Sequence, residues 1–219
     1  MTKAPETLDQ LFTARKPKMT KVKIAATMHA CYRNAKELYE EAQMLLEHGR
    51  AARGFGLCVL SLEELAKIPL LANAIYLKRG NNIAWSKFWK AFSSHRLKQN
   101  TWSVYGKRMF AGTCRERFYK HSWSAKLPAL EKMKQLSFYV DFVGTHPMQP
   151  NILYGHLKAL CDLAVKMAED RLEAFRPLHS TSARSKNVVA MLSHIKITGA
   201  SKAEWQEMFV RSVAELTDL

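Results

Sequence analysis

An all-α fold is what this sequence predicts, and three observations predict it. Nine Gly and seven Pro in 219 residues are few, apolar residues recur at helical spacing along most of the chain, and strand-like alternation is scarce. At this length one domain with a sizeable core is the default, either a bundle alone or a bundle with an accessory subdomain.

Residues 1–20 contain Pro and are basic, with Arg15, Lys16 and Lys18 followed closely by Lys21 and Lys23. They read as a solvated arm in preference to a dedicated nucleic-acid tail. The first helix is expected to begin near Thr20. Val22, Ala25, Ala26, His29 and Ala30 lead into Ala35, Leu38, Ala42, Leu45 and Leu46 on one face, while Lys36, Glu37, Glu40, Glu41 and Glu47 take the others. That helix is amphipathic and half exposed. It stops near His48, where Gly49 can adopt the left-handed conformation that closes a helix.

The second helix, expected over residues 51–77, is apolar almost all the way round, which marks a helix surrounded by others. Cys58, Leu62, Leu65, Pro69, Ala72 and Tyr76 form one stripe; Leu57, Ser61, Glu64, Ile68, Leu71 and Ile75 form the next, with Glu64 inside it. Lys67 lies four residues from Glu63 and three from Glu64, both pairing distances on a helix. A carboxylate in such a helix needs a partner or an opening to solvent. A polar site within the bundle fits this spacing, and so does an ordinary ion pair at its edge, worth about 0.3–0.5 kcal/mol. Pro69 removes a backbone donor and predicts a kink just past the charges.

Arg79-Gly80-Asn81-Asn82 turns the chain, and the composition then shifts. Residues 78–126 hold twelve Lys and Arg against one acid, Glu116, so this window carries most of the net charge of +15. A charge of that size points to a polyanionic partner, either nucleic acid or an anionic membrane surface. Four of the five Trp, namely Trp85, Trp89, Trp102 and Trp123, fall in the same window. Basic residues that hold phosphates, interleaved with aromatic faces that stack on unpaired bases, are the combination used in single-stranded RNA binding. Trp85, Phe88, Trp89 and Phe92 stand at helical spacing and read instead as the core face of a third helix. Residues 101–123 have poor periodicity and are expected to form a basic, aromatic insertion, as a long loop or a pair of short helices over the bundle.

A helix is expected over residues 125–136, then a turn at Gly144-Thr145-His146-Pro147 and Pro150. The next helix, over 151–175, carries Leu153, Leu157, Leu160, Ala164, Met167, Ala168 and Leu172 as its core stripe and is stopped by Pro177. After a small, polar connector, residues 188–195 and 203–216 read as two short helices that cover the bundle or meet a partner. The resulting division is an arm over 1–20, a helical bundle over 21–178 and C-terminal helices over 185–219.

Cys31, Cys58, Cys114 and Cys161 are far apart in sequence and match reduced core thiols, with no metal-ligand spacing. No apolar segment of secretory type opens the chain, and the longest apolar run contains Glu63, Glu64 and Lys67; a cytoplasmic protein without a membrane span is expected. Neither a Gly-rich phosphate loop nor a nucleophile elbow is present, which removes support from many catalytic classes. No metal and no cofactor is expected.

Asn34-Ala35, Leu38, Glu41-Ala42, Leu45-Leu46-Glu47, Gly49-Arg50, Ala52-Arg53, Leu57 and Leu62-Glu63-Glu64-Leu65-Ala66-Lys67 form a long gapless block. Phe88-Trp89-Lys90-Ala91-Phe92, followed by His95 and Lys98, forms a second, and Tyr139-Val140-Asp141 a weaker third. These blocks resemble the signature of the AbiV family of bacterial abortive-infection proteins, a branch of the HEPN superfamily. The likeness covers roughly residues 30 to 142. Ala66 is a departure, since the family more often has Gly there.

The resemblance implies an antiparallel HEPN-like bundle that forms a homodimer, and an antiphage effector that binds and cleaves RNA without metal, arresting translation. In HEPN chemistry a 2′-hydroxyl attacks the adjacent phosphate, which needs a proton acceptor and cationic groups near the phosphate. By this reading Glu63, Glu64, Lys67 and His95 act as one site. The two carboxylates would hold Lys67 toward a phosphate while His95 handles the proton. Arg96, Lys98, Lys107, Arg108, Arg115, Arg117, Lys120 and His121 are the expected RNA contacts. Many ribonucleases of the superfamily carry Arg followed after roughly four to six positions by His, which Arg115 and His121 match; with so many Arg and eight His, about one such match arises by chance. His95 ranks above His121 on the family block, and an exposed histidine without a role is the alternative for either. The competing function is a non-catalytic HEPN-type protein that senses or sequesters a phage or cellular protein; under either function a phage-encoded activator protein is a possible partner.

Overall fold

The computed structural model describes residues 18–78, 80–95, 98, 123–143, 145–178, 186 and 188–190. Most of the expected arm, most of the 101–123 insertion and most of the C-terminal helices lie outside them.

Helix α1 spans Lys21–Glu47. Its start follows from Thr20, whose hydroxyl oxygen accepts the Lys23 N–H at 3.2 Å and so satisfies one of the open donors of the first turn. Its end is a paired closure: Gly49 N–H reaches the Leu46 carbonyl at 3.1 Å and Arg50 N–H reaches the Leu45 carbonyl at 2.7 Å. Gly49 has φ +69°, a backbone state that its missing side chain makes accessible.

Helix α2, Ala51–Asn73, returns antiparallel to α1 after the short turn. It is the most surrounded element, packing against α1, α4 and α5. Two clusters of buried side chains meet on it. Leu65, Ile68, Leu71 and Ala72 pack with Ile24, Met28 and Tyr32 of α1 and with Trp85 and Phe88. Phe55, Cys58, Val59 and Leu62 pack with Met133, Leu136, Cys161, Ala164 and Met167. Ser61 Oγ donates to the Ala35 carbonyl at 2.7 Å in the buried seam between α1 and α2.

Helix α3, Asn82–Ser93, starts at Asn81, whose side chain accepts the Ala84 N–H at 2.9 Å. Its aromatic quartet packs on the core face, as the spacing indicated, with Trp85 and Phe88 buried and Trp89 and Phe92 partly buried. Phe88 meets Trp85, Trp89 and Phe92 with ring centroids 4.9–5.7 Å apart, in tilted or edge-on geometry.

Helix α4 covers Trp123–Phe138 and helix α5 covers Pro150–Ala174. Between them Asp141–Val143 (β1) and His146–Met148 (β2) pair antiparallel, Asp141 opposite Met148. Pro150 opens α5 at a position where a missing N–H costs nothing. A 3₁₀ turn at Arg176–Leu178 follows, tied to α1 by His29 Nδ1, which lies 2.7 Å from the Leu178 carbonyl.

Four differences from expectation have local causes. Helix α2 runs on through Pro69 for one more turn, and the expected stretch to residue 77 is instead a 3₁₀ turn at Ala74–Tyr76. Helix α4 exceeds its expected span by two residues at each end. The turn around Gly144 connects two strands, each too short to show alternation. The carboxylate lodged inside the bundle is Glu63, 1% exposed, whereas Glu64 on the supposed core stripe is half-buried. All described elements other than the hairpin are helical.

Candidate functional site

Glu63 sits midway along α2, and three other positions converge on it. The chain breaks from α3 at Ser94, which has extended backbone (φ −79°, ψ 120°). It then resumes a helical turn, with Lys98 N–H on the Ser94 carbonyl at 3.0 Å. His95 and Lys98, three residues apart, therefore share one side of that turn. From the opposite direction α4 brings Glu131 and Lys134, again three residues apart.

His95 Nδ1 is in direct contact with Glu63 Oε2. Lys98 Nζ lies 3.5 Å from the same oxygen. Lys134 Nζ donates to Glu63 Oε1 at 2.8 Å and to Glu131 Oε2 at 2.8 Å, and stands 3.3 Å from His95 Nδ1. Lys98 and Lys134 are both buried. An isolated buried carboxylate is costly, and so is an isolated buried ammonium; here each compensates the other. Among the described residues the cluster sets two carboxylates against two ammoniums, His95 aside.

The His95 side chain remains 53% exposed. Nδ1 faces both the Glu63 carboxylate, in direct contact, and the Lys134 ammonium at 3.3 Å; the closer carboxylate favours the tautomer with the proton on Nδ1 and the lone pair on Nε2. A histidine held in this way can accept a proton from a molecule in solvent while its ring stays oriented from behind.

Glu64 and Lys67 form a second, separate pair. The Lys67 ammonium binds Glu64 and lies 5.2 Å from the centre of the Phe92 ring. Holding of Lys67 by both carboxylates was expected. The structure gives its ion pair to Glu64, because Glu63 is turned toward α4 and the turn after α3. Cys31 lies near both groups: burial pushes its thiol up from 9.0 to about 12, Glu64 adds to the rise, and Lys67 and Lys98 oppose it.

Of the residues expected from sequence, the structure unites His95, Glu63 and Lys98, and places Glu64 with Lys67. Lys98, expected as an RNA contact, is buried and lies 3.5 Å from Glu63 Oε2. Arg96, Lys107, Arg108, Arg115, Arg117, Lys120 and His121 lie outside the described residues. Sequence reasoning missed Glu131 and Lys134. The available signal was their three-residue spacing, with Lys134 set between Met133 and Leu136 on a face that turns out to be buried.

Glu63, His95 and Glu131 are the described residues whose ligand-type atoms cluster, all within 4.8 Å of one another. Their chemistry would suit a divalent ion, but Lys134 Nζ stands among those three side chains. No helix among the described residues is long and apolar enough to cross a membrane.

A model of the HEPN_AbiV family, described as AbiV, matches residues 23–159, more than half of the chain. That range holds every residue of the Glu63 cluster. No curated protein and no solved structure matches.

Proposed function

The chain belongs to the AbiV family, and from that premise we propose that it is an abortive-infection effector that binds and cleaves RNA without metal, arresting translation in the infected bacterium. The observation that supports this reading is His95: an exposed imidazole held at Nδ1 by a carboxylate that is itself buried against two lysines.

In the proposed reaction Nε2 of His95 takes the proton of a ribose 2′-hydroxyl. The 2′-oxygen attacks the adjacent phosphorus, and the bond to the 5′-oxygen breaks. That oxygen leaves with a proton taken from water, giving a 2′,3′-cyclic phosphate and a 5′-hydroxyl end, and His95 returns its own proton to solvent. Charge that builds on the phosphate needs cations, which the basic window over residues 78–126 is proposed to supply. The working unit is proposed to be a homodimer, to be checked as a dimeric mass by light scattering.

The exposed apolar side chains of Tyr139 and Val140, beside the hairpin, favour a second reading, a non-catalytic protein that docks a phage or cellular protein. Incubating the purified protein with total RNA, with and without a chelator, separates the two. Cleavage that survives the chelator and leaves cyclic phosphate ends is expected. Intact RNA under every activating condition would leave the interaction protein as the reading to keep.

A further inference from the structure

Lys134 is the least expected member of the cluster, because a lysine 3% exposed must be held by compensating charge. Its nitrogen is 2.8 Å from Glu63 Oε1, 2.8 Å from Glu131 Oε2 and 3.3 Å from His95 Nδ1. These three side chains are the ones whose donor atoms approach within 4.8 Å of one another. An imidazole and two carboxylates are an ordinary ligand set for a transition-metal ion. The ammonium thus stands among three groups that would otherwise invite a divalent cation.

We propose that Lys134 is the resident cation of this cluster and a positioning residue for His95: it fixes the Glu63 carboxylate against Nδ1 and denies the ligand set to divalent metal. The positioning role rests on the proposed proton-handling role of His95, while metal exclusion does not. The physical basis is charge and space. A divalent ion binds these ligands at about 2.0–2.2 Å, so it would have to expel the ammonium from its two carboxylates. The expelled Lys134 would then lie uncompensated in a buried seam. Lys98 approaches Glu63 Oε2 at 3.5 Å, whereas Lys134 bridges Glu63 and Glu131 at 2.8 Å each, so the bridge depends on Lys134.

The test uses the full chain, with Co²⁺ as the metal probe and ¹⁵N resonances of His95 as the positional probe; neither needs RNA. Wild type is expected to show the proton on Nδ1 of neutral His95, and Co²⁺ should neither broaden the His95 signals nor give a visible absorption band. Lys134→Met, close in length but uncharged, should lose the Nδ1–H pattern and acquire a Co²⁺ band that disappears again in Lys134→Met combined with Glu131→Gln. Co²⁺ uptake at His95 in wild type would overturn the proposal, and so would a folded Lys134→Met protein with an unchanged His95 pattern and no metal band. Should Lys134→Met fail to fold, the wild-type Co²⁺ titration still decides between exclusion and uptake. RNA cleavage absent from a wild type that shows the Nδ1–H pattern and no uptake would count against the nuclease reading alone.

Discussion

Glu63 and Glu64 are neighbours on one helix and meet opposite fates. Glu64 finds its cation three residues away, on its own helix, in a pair whose side chains keep 16–17% exposure and whose ammonium lies 5.2 Å from the centre of the Phe92 ring. Glu63 is buried and meets cations from other elements, Lys134 of α4 and His95 and Lys98 after α3. The first arrangement needs only a helix. The second needs the bundle assembled, which is why it can serve as a site and why it is exposed to any disturbance of packing.

The largest effect that would test this contrast is on stability. Glu63→Gln leaves two buried ammoniums without their shared carboxylate and is expected to lower unfolding free energy by about 3–5 kcal/mol, the scale for breaking a buried ion pair. Glu64→Gln acts on a local pair with partial solvent access and is expected to cost about 0.2–1 kcal/mol. Urea titration of the two variants gives the comparison directly; equal losses would remove the distinction.

A smaller perturbation reaches Glu63 through packing alone. A Cβ placed on Gly56 would stand 2.7 Å from two ring carbons of Phe138 and 3.0 Å from Ser137 Cβ. Gly56→Ala must therefore push α4 from α2, at about 1–3 kcal/mol. Because Lys134 travels with α4, the His95 and Glu63 signals should shift in NMR spectra while those of Lys67 and Glu64 stay. Uniform shifts at both pairs would show that they are not independent.

The effect that is smallest at neutral pH concerns the thiols. Burial pushes Cys31 and Cys58 from 9.0 to about 12, with Glu64 adding at Cys31 and Cys161 adding at Cys58. Folded thiols that keep their protons longer than unfolded ones give a contribution to stability that is complete below pH 9 and lost as pH rises toward 12. Replacing each by Ser or Ala should flatten the alkaline limb of the stability curve. At neutral pH both thiols of the native protein should resist alkylation.

The contrast also explains what could be read in the chain beforehand. The run from Thr20 to Gly49, the return at Arg50 and the Glu64–Lys67 spacing are local, and periodicity with capping chemistry suffices for them. The aromatic face of α3 was legible for the same reason. The Lys134 contact to Glu63 joins residues 71 apart. Nothing near Lys134 in sequence reveals that α4 docks there, and a lone lysine at helical spacing with a glutamate looks like a solvated pair. The stripe assignment puts Glu64 within an apolar face and does not single out Glu63, since the two differ by one position and the all-round apolar pattern of α2 leaves its orientation unfixed. The three-residue strands flanking Gly144 fall below the length at which alternation means anything.

The central claim is that His95, oriented by Glu63, carries the reaction, and His95→Ala tests it most directly. Lys98 and Lys134 still compensate Glu63 when the half-exposed imidazole is removed, so the melting temperature should stay close to that of wild type. RNA cleavage should fall by about two to four orders of magnitude, the usual scale for loss of a general acid or base. Cleavage undiminished in a folded His95→Ala protein would contradict the account.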